Sequence, residues 1–146
     1  MSIFPTKILL ATDGSREAEL ATQTAVDLAQ KTGSELHVVH VLYWATDSAL
    51  DPEGLDPAVR QDIQHRARAK LEELVGRIEA SGGVVQGSHL GVGRPDAEIV
   101  ARTEEMGAGL IVMGSRGLGG IRRARIGSVA DSVVRHAHSP VLVVRE

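Results

Sequence analysis

The chain has 146 residues, a formal charge of −3 at pH 7, 42% hydrophobic residues and no cysteine. These figures fit one globular domain over residues 1–146 and exclude disulfides, thiolate metal sites and a cysteine nucleophile. No run approaches the ~18–20 apolar residues of a membrane helix, the first residues lack a signal-peptide pattern, and the acidic total argues against coating nucleic acid. A cytoplasmic protein without membrane or nucleic-acid partners is the expectation.

Taken in order, the first apolar run is Ile8–Ala11, short and aliphatic. Ala18, Ala21, Ala25, Leu28 and Ala29 then recur at helical spacing, with Gly33 where a C-terminal cap belongs. Leu36–Leu42 is a second strand, and Tyr43–Leu55 reads as a long loop. Asp56-Pro57 is an N-cap followed by proline at the first helical position. The apolar stripe behind it runs through Val59, Ile63, Ala67, Leu71, Leu74 and Ile78 to Ser81-Gly82-Gly83. Val84–Leu90 predicts a third strand whose polar content suits a sheet edge. A third helix is expected from Pro95 to Met106, a fourth strand over Leu110–Met113, a fourth helix from Ser128 to His136 and a last strand over Val141–Val144. Four of the five runs are nearly continuous in aliphatic residues, as strands buried on both faces are. The β-α alternation predicts an α/β fold, an open parallel sheet with helices on both faces.

In such sheets ligands bind beyond the carboxyl ends of the strands, where strand order reverses. The strand-end segments are Ala11-Thr12-Asp13-Gly14-Ser15, Val41-Leu42-Tyr43, Gly91–Arg94 and Met113–Ser128. The last is long for a strand-to-helix connection. Between Gly114 and Gly127 it holds five glycines, four arginines and no acid. Glycines let main-chain amides approach a guest, arginine offers bidentate donors to phosphate, and a helix start favours an anion. Arg116 is assigned to the site on this electrostatic ground. Two readings stand for Ser128, a phosphate donor or a plain N-cap in a Ser128-x-x-Asp131 box. Two also stand for Asp13, a contact to ribose, adenine or metal, or an acceptor for the amides of Gly14, Ser15 or Arg16. The glycines match neither the GxxxxGK[ST] loop nor the dinucleotide fingerprint.

Ala11-Thr12-Asp13-Gly14-Ser15, His40-Val41, Gly114-x2-Gly117-x9-Gly127-Ser128 and the closing Ser139–Val144 together resemble the universal stress protein family, in the version associated with ATP binding. The resemblance covers essentially the whole chain. It implies a single-domain, five-stranded sheet of order 3-2-1-4-5, adenine nucleotide alpha hydrolase-like, with Asp13 and Gly114 facing across one crevice. By position, Ala11, Thr12 and Asp13 would line the nucleoside, and the main chain of Val41 would meet adenine. Met113 and Gly114 would pack beside base and sugar, while Gly117, Gly127, Ser128 and Val129 would surround the phosphates. ATP is the implied ligand, with Mg2+ or Mn2+ carried on its phosphates, and the last strand commonly pairs across a two-fold axis in the family.

The histidines read as structural: His136 and His138 cannot share a helix face, and His37 and His40 lie on opposite faces of a strand. No protein-held metal site is expected. Two readings stand for Tyr43-Trp44, stacking on a ligand or, preferred, Trp44 anchoring the long loop, and the charges from Arg60 to Lys70 read as a solvated helix face. No nucleophile elbow or water-positioning constellation is present, so no catalytic residue is nominated and ATP hydrolysis is expected to be slow at most. The expected function is a nucleotide-dependent stress or signalling module with an unidentified protein partner. The alternative is a dimer formed through Val141–Val144 that acts by protein contacts without nucleotide.

Overall fold

Strand β1 (Lys7–Ala11) leads through a four-residue turn into helix α1 (Arg16–Thr32), in the computed structural model of the chain, which describes residues 2–43, 54, 56–116 and 127–146. There follow β2 (Glu35–Tyr43), α2 (Pro57–Ala80), β3 (Gly87–Gly93), α3 (Pro95–Met106), β4 (Leu110–Gly114), α4 (Ser128–His136) and β5 (Val141–Val144). All strand pairs are parallel, and the sheet order is β3-β2-β1-β4-β5. The expected order and the edge position of β3 are both present.

Side-chain alternation along the central strands divides the core. Ile8, Leu10, Leu36, Val38, Leu110 and Val112 pack with α1 and α2 on one face. Leu9, Ala11, Val39, Ile111 and Met113 pack with Ile99 of α3 and Ala130 and Val133 of α4 on the other. Ile8, Leu9 and Leu10 are wholly excluded from water. Complete burial of such side chains is worth about 1.5–3 kcal/mol each, which explains why these strands read as unbroken apolar runs.

The helix ends follow their local chemistry. Ser15 caps α1 by accepting from Ala18 N at 3.3 Å, and Gly33 closes it at φ +70°. Asp56 caps α2 through Ala58 N at 2.8 Å, with Pro57 in the first turn. Two readings need correction here. The stripe on α2 is buried only from Ala67 onward, and Val59 at its start is exposed. The third strand begins at Gly87 rather than Val84 and runs on to Gly93, so Gly91 and Gly93 belong to the strand and not to a strand-end segment. The cause is close packing: a Cβ on Gly87 would lie 2.7 Å from His37 Nδ1, and one on Gly91 would lie 3.3 Å from Glu98 Cβ. Strand propensity discounts glycine, whereas this edge uses glycine to admit neighbours.

Among the described residues no helix is long and apolar enough to cross a membrane. Replacing Ser15 with alanine removes the α1 cap, and equilibrium urea unfolding is expected to show a loss of about 1 kcal/mol with an unchanged m-value.

Candidate functional site

The β1–α1 turn satisfies its own amides. Thr12 N donates to Val39 O at 3.1 Å, continuing the ladder one residue past β1. Gly14 N donates to Thr12 Oγ1 at 3.2 Å and Ser15 N to Asp13 Oδ1 at 2.9 Å. Gly14 sits at φ +81°, a conformation costly for residues with a Cβ. His40, from the α1–α2 face of β2, meets the Thr12 carbonyl with Nδ1 at 3.0 Å. Asp13 thus makes the local bond that one of its two readings required. The amides of Gly14, Ser15 and Ala18 are all engaged within the turn.

Beyond the carboxyl ends of β1 and β4 lies a cavity of about 140 Å³. Its floor is apolar: Ala11, Val39 and Met113 come from the α3–α4 face of the sheet, joined by Val41 and Ile99. Thr12, Asp13 and Gly114 edge it, Arg116 forms part of the wall, and Val129 reaches it from the first turn of α4. The first turn of α4 differs from that of α1. Its N-cap is Gly127, with no side-chain cap among the described residues, and Asp131 N returns to Gly127 O at 2.9 Å. Ser128 is therefore the first helical residue, exposed, and the capping-box reading does not hold. An uncapped helix start of this kind presents amide donors and the positive end of the helix dipole. Asp131 on the same turn pairs with Arg135 at 3.1 Å.

The connection between β4 and α4 is held by a residue that sequence reasoning overlooked. Glu17, in the first turn of α1, is buried. Its carboxylate accepts from Ser115 Oγ, from Arg116 N at 2.8 Å and from Arg116 Nη2 at 3.1 Å. Burial alone would raise its pKa; the bonds from Ser115 and Arg116 and the Arg116 charge outweigh that and hold it below the usual value of 4.5. Close approach makes this contact feasible: a Cβ on Gly114 would sit 3.0 Å from the Glu17 carbonyl carbon. Ser115 N also donates to Val144 O at 2.9 Å, and Ser115 O accepts from Gly127 N at 2.6 Å. A Cβ on Gly127 would lie only 2.8 Å from that same oxygen.

Of the residues expected in the site, Ala11, Thr12, Asp13, Val41, Met113, Gly114, Arg116 and Val129 converge on the cavity. Gly127 lies against Ser115 and the cavity-lining Arg116, Ser128 begins α4 without lining the cavity, and Gly117 lies outside the described residues. So do Trp44, Arg122, Arg123 and Arg125. The expectation for Arg116 changes in kind. It is ion-paired with Glu17 and therefore does not enter the cavity as an uncompensated charge.

Comparison with known proteins now decides the family. Residues 5–145 match the universal stress protein family. The chain belongs to that family. It is 32% identical over 140 residues to universal stress protein MJ0531 of Methanocaldococcus jannaschii, covering 96% of this chain and 82% of that one. Among solved structures, the hypothetical protein MJ0577 superposes with a TM-score of 0.82 at 28% identity, covering 99% of this chain and 98% of the other. A universal stress protein from Archaeoglobus fulgidus, solved in complex with dAMP, superposes with a TM-score of 0.69 at 26% identity, covering 99% and 100%.

Away from the cavity the histidines make local contacts. His37 bonds Glu35 at 3.2 Å and stacks on His89 with ring centroids 5.9 Å apart. His136 Nδ1 meets Ser132 O at 2.8 Å. Tyr43, at the end of β2, is exposed, and Trp44 lies outside the described residues.

Removing one partner of a buried ion pair strands the other, at a cost of about 3–5 kcal/mol. Glu17→Ala is expected to lose stability on that scale in chemical denaturation at neutral pH. Because the folded pKa of Glu17 is depressed, its contribution is present above 4.5 and fades as pH falls through the folded value. The stability gap between wild type and Glu17→Gln should therefore narrow in acid, and a gap constant with pH would refute the assignment.

Proposed function

We propose that this universal stress protein binds ATP in the cavity at the ends of β1 and β4 and acts as a nucleotide-dependent stress or signalling module. The observation that carries the reading is the pairing of an apolar cavity at the β1–β4 switch point with the uncapped start of α4. The apolar half, floored by Ala11, Val41 and Met113, suits a flat base. The first turn of α4 suits an anion. In this reading Asp13 stands beside the ribose or base, and Gly127, Ser128 and Val129 meet the phosphates together with Gly117. Support comes from the dAMP-bound relative of the same fold and from the Gly114-x2-Gly117-x9-Gly127-Ser128 pattern. Mg2+ or Mn2+ would arrive on the phosphates, the usual way such ions are held.

We assign no catalytic residue. Phosphoryl transfer needs a group that orients water and a clamp on the transferring phosphate. The cavity's carboxylate, Asp13, bonds the Ser15 amide instead. Binding, with hydrolysis slow at most, is the activity the site supports.

The outer position of β5 supports a homodimer. An edge strand with exposed Leu142 is a liability that a two-fold copy would cover. Cytoplasmic residence belongs to the same reading.

Isothermal titration with ATP is expected to give saturable binding to the wild type. Gly127→Val, whose side chain meets Ser115 O, should weaken it by at least about tenfold, the scale of one lost charged hydrogen bond. Equal affinities, or no binding by either, would sink the site. Sedimentation velocity should show a dimer that Leu142→Glu converts to monomer; a dimer that survives the substitution would place the interface elsewhere.

A further inference from the structure

The strand ends and α4 account for a base and for phosphates, but the buried carboxylate of Glu17 has no part in that account. We propose that Glu17 is a positioning residue for the phosphate-binding half of the cleft, fixing both Arg116 and the start of α4 relative to the strand ends. The inference rests on the nucleotide-binding reading above.

Glu17 grips two consecutive residues through three bonds, to the Ser115 hydroxyl, the Arg116 amide and the Arg116 guanidinium. Ser115 in turn takes the Gly127 amide on its carbonyl. A line of short contacts therefore runs from the first turn of α1 to the N-cap of α4, and Gly127 has no side chain to hold its own position. With Glu17 in place, the α4 start is tied to the same frame as Ala11, Thr12 and Asp13.

Arg116 is oriented by the same contact. One guanidinium nitrogen, Nη2, is bound to Glu17. Its Nε is buried and has no hydrogen-bond partner among the described residues. Held this way, Arg116 borders the cavity next to Gly127, on the side where the phosphates of a guest would lie. Glu17 thus turns Arg116 from a long, mobile charge into a fixed donor, and neutralises the charge that would otherwise be buried there.

The test separates the two halves of the ligand. ATP and adenosine are titrated calorimetrically into wild type, Glu17→Gln and the charge-free double variant Glu17→Gln/Arg116→Met, with folding verified by circular dichroism. Adenosine should bind wild type and Glu17→Gln alike, because every cavity-lining residue is unchanged between them, and in the double variant the loss for ATP should exceed that for adenosine. ATP should bind both variants about tenfold or more weakly, the scale of a lost charge-assisted hydrogen bond. A proportional loss for both ligands would make Glu17 merely structural and overturn the proposal. So would unchanged ATP binding, or tighter ATP binding from a released Arg116. The double variant keeps the test decisive if the single one fails to fold, since it leaves no unpaired charge. Absence of ATP binding in the wild type would instead reject the nucleotide reading itself, and the role of Glu17 with it.

Discussion

The contact between Glu17 and the Ser115–Arg116 turn is the constraint around which the functional end of the molecule is arranged. It joins residues 98 and 99 positions apart in the chain. It requires β4 to end against the first turn of α1, and Gly114 eases this: a Cβ there would press on the α1 backbone at 3.0–3.1 Å. The depressed pKa of Glu17 reflects the same balance. Burial penalises the carboxylate, and three donors with one positive charge more than compensate. Neither partner is stable there alone, so the pair is a geometric commitment as much as a source of stability.

That commitment explains why the two helix starts flanking the β1–β4 crevice are so different. At α1 the side chains of Thr12, Asp13 and Ser15 take up the local amides, closing the turn on itself. At α4 the cap is a glycine, and the first turn has no comparable side-chain acceptor among the described residues. A chain that carries a net charge of −3 thus has, among the described residues, one helix start without a side-chain cap beside an apolar cavity. The local field at the crevice, rather than the total charge, decides which ligand is welcome.

The order of elements was legible in the sequence because it rests on local signals: aliphatic runs for strands buried on both faces, alanine spacing and Gly33 for α1, and Asp56-Pro57 for α2. Strand order was legible only through resemblance, since periodicity says which segments are strands and not which are neighbours. Two local readings failed for one reason, that packing overrides propensity. At β3, glycines that look like strand breakers sit under His37 and Glu98, and the strand is displaced by three residues. At α4, Ser128 looks like a cap, but the close approach of Gly127 to the Ser115 carbonyl shifts the cap back by one. Glu17 was silent for a different reason. An acid in the first turn of a helix is ordinary, favoured by the dipole. Nothing near it in the chain indicates a partner in β4.

Arg116 shows why charge counted along a sequence misleads about a site. Four arginines in one glycine-rich stretch suggest a strongly positive pocket. Once Glu17 is placed against Arg116, the arginine closest to the strand end contributes direction more than charge. Among the described residues, the amides at the start of α4 are weaker donors than a free guanidinium but are fixed in place by the helix. A fixed donor set selects by shape and position, whereas a free cation accepts any anion within reach. For Arg116 itself, the buried pair therefore exchanges part of the electrostatic pull that the sequence advertises for a fixed orientation.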